Sequence, residues 1–148
     1  MNRRAILTLA VAGAAGIVSR SVRASEGARR VTIYKDPQCG CCGEYAEYLR
    51  SNGFDVSIVD TDDLPLIHEQ HGVPTDLQGC HLSMIGGYAV SGHVPIEVIN
   101  QLLKEKPAIA GITLSGMPTG SPGMSGQKTA PFTIYKITKG SPEVYAVE

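Results

Sequence analysis

An α/β fold in the order βαβα followed by ββα, closed by a loop and a β-hairpin, is what the sequence predicts. Three observations carry this expectation. Short β-branched runs alternate with stretches of helical period, a Gly-Gly pair separates two apolar runs, and three cysteines cluster where the first strand gives way to the first helix.

Val31-Thr32-Ile33-Tyr34 is β-branched and aromatic and stops at Lys35-Asp36-Pro37, so it reads as a first strand feeding a turn. Cys39-Gly40-Cys41-Cys42 follows. From Gly43 to Asn52, Tyr45, Tyr48 and Leu49 fall at i, i+3 and i+4, with Asn52-Gly53 as a C-cap, so a first helix starts at or within the cysteine motif. Phe54, Val56 and Ile58 share one face of a second strand that ends at Asp60. Asp62 or Asp63 then caps a short helix with Pro65 in its first turn, running to Gly72. Leu82 to Ile85 is a third strand, Gly86-Gly87 its turn, and Tyr88 to Val90 the returning fourth strand. Pro95 opens the last helix, which has Val98, Ile99, Leu102 and Leu103 on one stripe, lysines at its end and Pro107 as its stop.

This is the element order of the thioredoxin fold, and residues 25–107 are the stretch that would form a thioredoxin-like domain. In that fold the residue ahead of the third strand, commonly a cis-proline, faces a dithiol at the first helix. The matching position here is Gly79-Cys80-His81, so Cys80 is expected to look at Cys39, Cys41 and Cys42. Ala108 to Pro131 is rich in Gly, Pro, Ser and Thr without periodicity and is expected to be a long loop. Phe132–Ile137 and Val144–Val147 are expected to pair as a hairpin, making residues 108–148 a C-terminal extension packed on the same domain.

With 148 residues, 43% of them hydrophobic, the chain has material for one domain with an ordinary core. Residues 1–24 read as a signal peptide: Arg3 and Arg4 give a positive start, Ala5 to Val18 is apolar, and Val22-Arg23-Ala24 has the small-residue cleavage pattern. That apolar run of fourteen residues is short of the roughly 20 that a spanning helix needs. Export to the periplasm, with no membrane attachment after cleavage, is therefore expected. Cleavage removes four arginines and no acid, taking the formal charge from −1 to −5. An acidic chain argues against nucleic acid and anionic lipid as partners, and the absence of Trp with only two Phe removes the usual base-stacking platforms.

Four cysteines in an oxidising compartment ordinarily mean two structural disulfides, but adjacent Cys41 and Cys42 bridge only with strain. Cys39 and Cys42 have the spacing of a dithiol redox pair, and a helix N-terminus beside them favours the thiolate. They are the catalytic candidates if the protein is a metal-free thiol–disulfide oxidoreductase of thioredoxin type. Cys41 inside that frame is a third nucleophile able to scramble such a disulfide. As metal ligands, crowded thiolates suit Cu(I), zinc or iron–sulfur centres, and a three-plus-one grouping ranks zinc below copper. Met117 and Met124 add thioethers in a Gly-lined loop, a copper donor type, against the alternative that they pin the loop to the core. His93 lies just before the Pro95 helix, near the motif's end of the sheet. Alternation along an extended segment puts Cys80 rather than His81 on the site. His68 and His71 keep company with Asp62, Asp63, Glu69 and Gln70 and read as a solvated face. The candidate ligands are thus Cys39, Cys41, Cys42, Cys80, Met117, Met124 and His93.

Tyr34 through Gly43, then Gly79-Cys80-His81, Gly92-His93-Val94-Pro95, and Gly116-Met117-Pro118 through Gly123-Met124 resemble, in order, the motifs of the bacterial CopG-type copper-resistance proteins. The similarity runs from about Val31 to Val147. It implies a thioredoxin-like fold with a C-terminal extension, a periplasmic location and copper held by the cysteines, with interconversion of Cu(I) and Cu(II) as the family's proposed chemistry. Copper ions are then the partner expected, supplied to or taken from a copper exporter or chaperone.

Overall fold

The computed structural model describes residues 29–148. The expected leader, residues 1–24, lies outside them. The described chain is mixed α/β: β1 (Arg30–Lys35), α1 (Gly40–Ser51), β2 (Asp55–Asp60), α2 (Leu64–Gln70), a single 3-10 turn (Thr75–Leu77), β3 (His81–Ile85), β4 (Tyr88–Ser91), α3 (Ile96–Glu105), β5 (Gly111–Thr113), β6 (Thr133–Ile137) and β7 (Glu143–Val147). The seven strands form one sheet in the order β2-β1-β3-β4-β5-β6-β7.

β1 runs parallel to β2 through the α1 crossover and antiparallel to β3, while β3 and β4 close the hairpin at Gly86-Gly87, both at positive φ as a tight two-residue turn requires. α3 carries the chain over to β5, which joins β4 in parallel. One sheet face packs Tyr45, Ala46 and Leu49 of α1 and Ile96, Val98, Ile99 and Leu102 of α3 against Val31, Ile33, Ile85, Val90 and Ile112. The other face is covered more lightly, by Ile67 of α2 with Val73 on Leu82, Met84, Ala89 and Ile137. β2 is an edge strand, and cover ends before its far half: Phe54 and Val56 are buried, whereas Ile58, expected on the same buried face, is 39% exposed.

The stretch after Pro107 is not the featureless loop its composition suggests. Gly111 to Leu114 is buried at every residue, so β5 shows no alternation; it is an interior strand covered on both faces. A side chain at Gly111 would run into the Ala89 backbone, which explains glycine where β5 meets β4. β6 and β7 then extend the sheet as the expected hairpin, with one register shift between Ile134 and Tyr135. No helix among the described residues is long and apolar enough to cross a membrane.

Because β5 is core rather than linker, Ile112→Ala should lower stability in urea unfolding by about 2–5 kcal/mol. Val144→Ala, on the half-exposed last strand, should change it by less than about 0.5 kcal/mol. Equal small effects would mean that β5 is dispensable to the fold.

Candidate metal centre

The site is assembled at the end of the sheet where β1 stops. Asp36 turns the chain by accepting the Gln38 N–H on its Oδ1 (2.8 Å) and the Cys39 N–H on its carbonyl (3.0 Å). Lys35 holds this turn from beneath: its buried ammonium bonds the Asp36 and Pro37 carbonyls and pairs with Asp60 at 3.0 Å. Lys35 and Asp36 are thereby committed to the turn. Cys39 is the N-cap of α1 and makes no side-chain capping bond, so the motif sits at a helix start whose first N–H groups no side chain satisfies.

Cys39 and Cys42 are joined as a disulfide; Cys41 and Cys80 are free. The expectation of two disulfides thus fails for the second pair, whose sulfurs stand 3.9 Å apart. Cys41 Sγ lies 3.6 Å from Cys39 Sγ, and Cys42 Sγ lies 3.8 Å from Cys80 Sγ. All four sulfurs fall within 4.8 Å of one another, with Cys42 buried and the other three half-buried. Thiolates bound at about 2.3 Å around one tetrahedral ion stand about 3.8 Å apart, so the unbonded edges already have ligand spacing. Opening the disulfide brings Cys39 and Cys42 into the same set.

Three backbones meet here with no side chain between them. A Cβ on Gly79 would strike the Gly92 backbone, and one on Gly92, which has φ +77°, would strike the Leu114 carbonyl. Gly79 also bridges Gly116. Each contact point is next to, or two residues before, a site element: Cys80, His93, and the loop of Gly116 to Met124. Ser91 Oγ accepts the Gly79 N–H at 2.8 Å and stands 3.1 Å from Nε2 of His68, whose Nδ1–H donates to the Leu64 carbonyl at 3.1 Å.

His93 and His81 both reach Cys80. The His93 Nδ1–H donates to the Pro122 carbonyl at 2.6 Å, which leaves the Nε2 lone pair facing Cys80 Sγ at 3.0 Å. His81 Nδ1 lies 3.4 Å from the same sulfur. Burial, reinforced by His93 and then His68, pulls His81 down to about 3, and burial lowers His93 as well, so both imidazoles are neutral. Burial first, then Cys41, pushes the Cys80 thiol up to about 12. Metal binding at Cys80 therefore has to displace a proton. Beneath the two rings lies Tyr45, fully buried, its centroid 4.6 Å from His81 and 5.2 Å from His93, its hydroxyl donating to the Val94 carbonyl at 2.8 Å.

Of the two methionines, Met124 lines an open cleft of about 500 Å³ with Cys41, Glu44, Gly123 and Ser125. Met117 is 55% exposed and does not line that cleft. Gly123 lets the loop lie on α1: at φ +79° its Cβ would come within 2.7 Å of the Tyr45 nitrogen.

Two histidines are placed differently from what the sequence predicts. Alternation turns His81 away from the site, but β3 begins at His81, so Cys80 lies outside the pleat and the rule does not apply. His68, which reads as part of a solvated face, is buried; Leu64 and Ile67, four residues and one residue before it, mark the inward side that the neighbouring acids conceal.

A family profile described as "Protein of unknown function, DUF411" matches residues 77–124. No curated protein matches the chain. Two solved structures, "Copper resistance protein copG- Form 1" and "Form 2", superpose on this fold with a TM-score of 0.73 and 33% sequence identity, covering 80% of this chain and 96% and 97% of theirs.

Gly79→Ala should destabilise the protein by about 1–3 kcal/mol, the usual range for overpacking, because the clash is with backbone. Gly40→Ala, with nothing within 4 Å of its Cβ, should be neutral or stabilising in the same urea titration. Equal behaviour of the two would contradict the close approach that sets Cys80.

Proposed function

The chain belongs to the CopG family of copper resistance proteins, and we propose that it is an exported, periplasmic copper-binding protein in which Cys39, Cys41, Cys42 and Cys80 hold copper. The observation that carries this is the convergence of four sulfurs within 4.8 Å at one helix start. Thiolates so crowded favour Cu(I) and, by sharing sulfurs, more than one ion. Met124 beside Cys41 supplies a thioether at the cleft, and His93, its Nε2 bare and its Nδ1–H fixed by Pro122, has the outer-shell bond typical of a ligating imidazole. Met117 is assigned to the loop's outer face, where it meets copper entering or leaving. The sheet order β2-β1-β3-β4, with α1 and α3 on one face and α2 on the other, supports a thioredoxin-like core over residues 25–107 carrying residues 108–148 as an extension.

The chemistry we assign is interconversion of Cu(I) and Cu(II). Two Cu(II) ions, each taking one electron from the Cys39 and Cys42 thiolates, give two Cu(I) and one disulfide; a reducing dithiol returns the two electrons and reopens the pair. The Cys39–Cys42 bond in the structure supports this pair as the electron store. Copper would pass to or from an exporter or chaperone through the cleft at Cys41.

The same disulfide favours one other reading, a metal-free thiol–disulfide oxidoreductase using Cys39 and Cys42. Cys41 and Cys80, with sulfurs 3.6 and 3.8 Å from the two bridged ones, weigh against it as competing nucleophiles. After anaerobic reduction the protein should take up more than one Cu(I) per chain, and Cys80→Ser should lose most of it. Stoichiometric zinc with no copper uptake would contradict the copper reading. Insulin reduction by metal-free protein, requiring Cys39 and Cys42 but indifferent to Cys80, would establish the oxidoreductase instead.

A further inference from the structure

We propose that Cys80, His81 and His93 form a second coordination set, for a divalent copper ion, that shares Cys80 with the thiolate cluster. Its choice of metal rests on the copper reading above, but its ligands come from geometry alone. One donor atom from each residue lies within 4.8 Å of the other two, and the sulfur–nitrogen separations of 3.0 and 3.4 Å suit ligands about 2.0–2.3 Å from a common ion. Two imidazoles and one thiolate are the donor set of sites that hold Cu(II), whereas thiolates alone hold Cu(I).

Hydrogen bonding does not account for His81. The ring is fully buried, held edge-on to His93 with centroids 4.9 Å apart and tilted against Tyr45 at 4.6 Å. Its Nδ1 faces a thiol, and its Nε2 has no partner. A buried imidazole left with an unpaired nitrogen costs about 1–3 kcal/mol, without gain to the fold. Among the described residues the one other buried side-chain atom without a partner is the hydroxyl of Ser83, on the same face of β3 two residues on. Metal binding through Nδ1 gives both atoms a use. The Cys80 thiol proton leaves to solvent, the His81 proton moves to Nε2, and Ser83 is the acceptor we assign to it. His93 needs no rearrangement, since its proton already sits on Nδ1 against Pro122.

The two sets differ in their dependence on the Cys39–Cys42 bond. Disulfide formation removes two of the four thiolates but none of Cys80, His81 and His93. The oxidised chain, poor in sites for Cu(I), keeps its site for Cu(II), and reduction restores the thiolate set 3.8 Å away at Cys42. Both oxidation states thus have a home on either side of one shared sulfur.

The test uses the full chain with the disulfide intact, verified by titration of two free thiols. Co(II) serves as the probe because it does not oxidise thiolates. One Co(II) per chain is expected, with a thiolate-to-cobalt charge-transfer band and two hyperfine-shifted imidazole N–H resonances from the wild-type protein. His81→Gln and His93→Gln should each weaken Co(II) binding at least tenfold, while His71→Gln, outside the site, should leave it unchanged. Binding without shifted imidazole signals, or no binding, would overturn the second set whether or not the variants fold. Cu(I) uptake by the reduced wild-type chain, measured alongside, separates the outcomes: uptake with no Co(II) site overturns this proposal alone, and failure of both overturns the copper reading as well.

Discussion

Everything at this site depends on three backbone segments being allowed to touch. Gly79 lies against Gly92, and Gly92 against the Leu114 carbonyl, at distances that admit no Cβ. Because Cys80 follows the first glycine and His93 the second, the contact fixes the separation of sulfur and imidazole at 3.0 Å with little left to side-chain freedom. Leu114 follows β5 directly and leads into the methionine loop, so the same contact anchors the segment that bonds His93 through Pro122 and seats Gly123 on α1. A site held by backbone contact rather than by long side chains loses little conformational entropy on taking up a metal.

The electrostatics point the same way. Two neutral imidazoles, a thiol held protonated by burial and a buried tyrosine hydroxyl make an interior without charge. Such an interior is stable as it stands and becomes a strong cation site only when thiol protons leave, so metal affinity and proton release are one event. The Cys39–Cys42 disulfide adds a second control, since two electrons determine whether the helix start offers two thiols or four. Tyr45 and Tyr48 tie this chemistry to the fold: one donates to the Val94 carbonyl, and the other accepts the Ile96 N–H, so α1 carries the cysteines and also holds the segment that carries His93.

Most of the architecture was legible because it is written in local chemistry. The β-branched run of β1, the Gly86-Gly87 turn and the stripe of α3 each follow from period and turn residues, and the strand-then-cysteines-then-helix order put the motif at the sheet's end. β5 was not legible, since a strand buried on both faces has no alternation and this one is three residues long among Gly, Pro and Ser. At the site, Cys80 was found by its position ahead of β3, whereas His81 was set aside by a rule for pleated strands that holds only from His81 onward. His68 was hidden by the acidic residues around it in the sequence. Both misplacements are of histidine, whose polarity suggests exposure until a partner is found for each ring nitrogen.

The central claim is that four sulfurs from two segments act as one copper site. X-ray absorption at the copper edge of the reduced protein loaded with Cu(I) tests it most directly. The account predicts a first shell dominated by sulfur at about 2.3 Å, the usual metal–thiolate distance, together with copper–copper scattering from sulfur-bridged ions. A first shell of nitrogen and oxygen alone would contradict it.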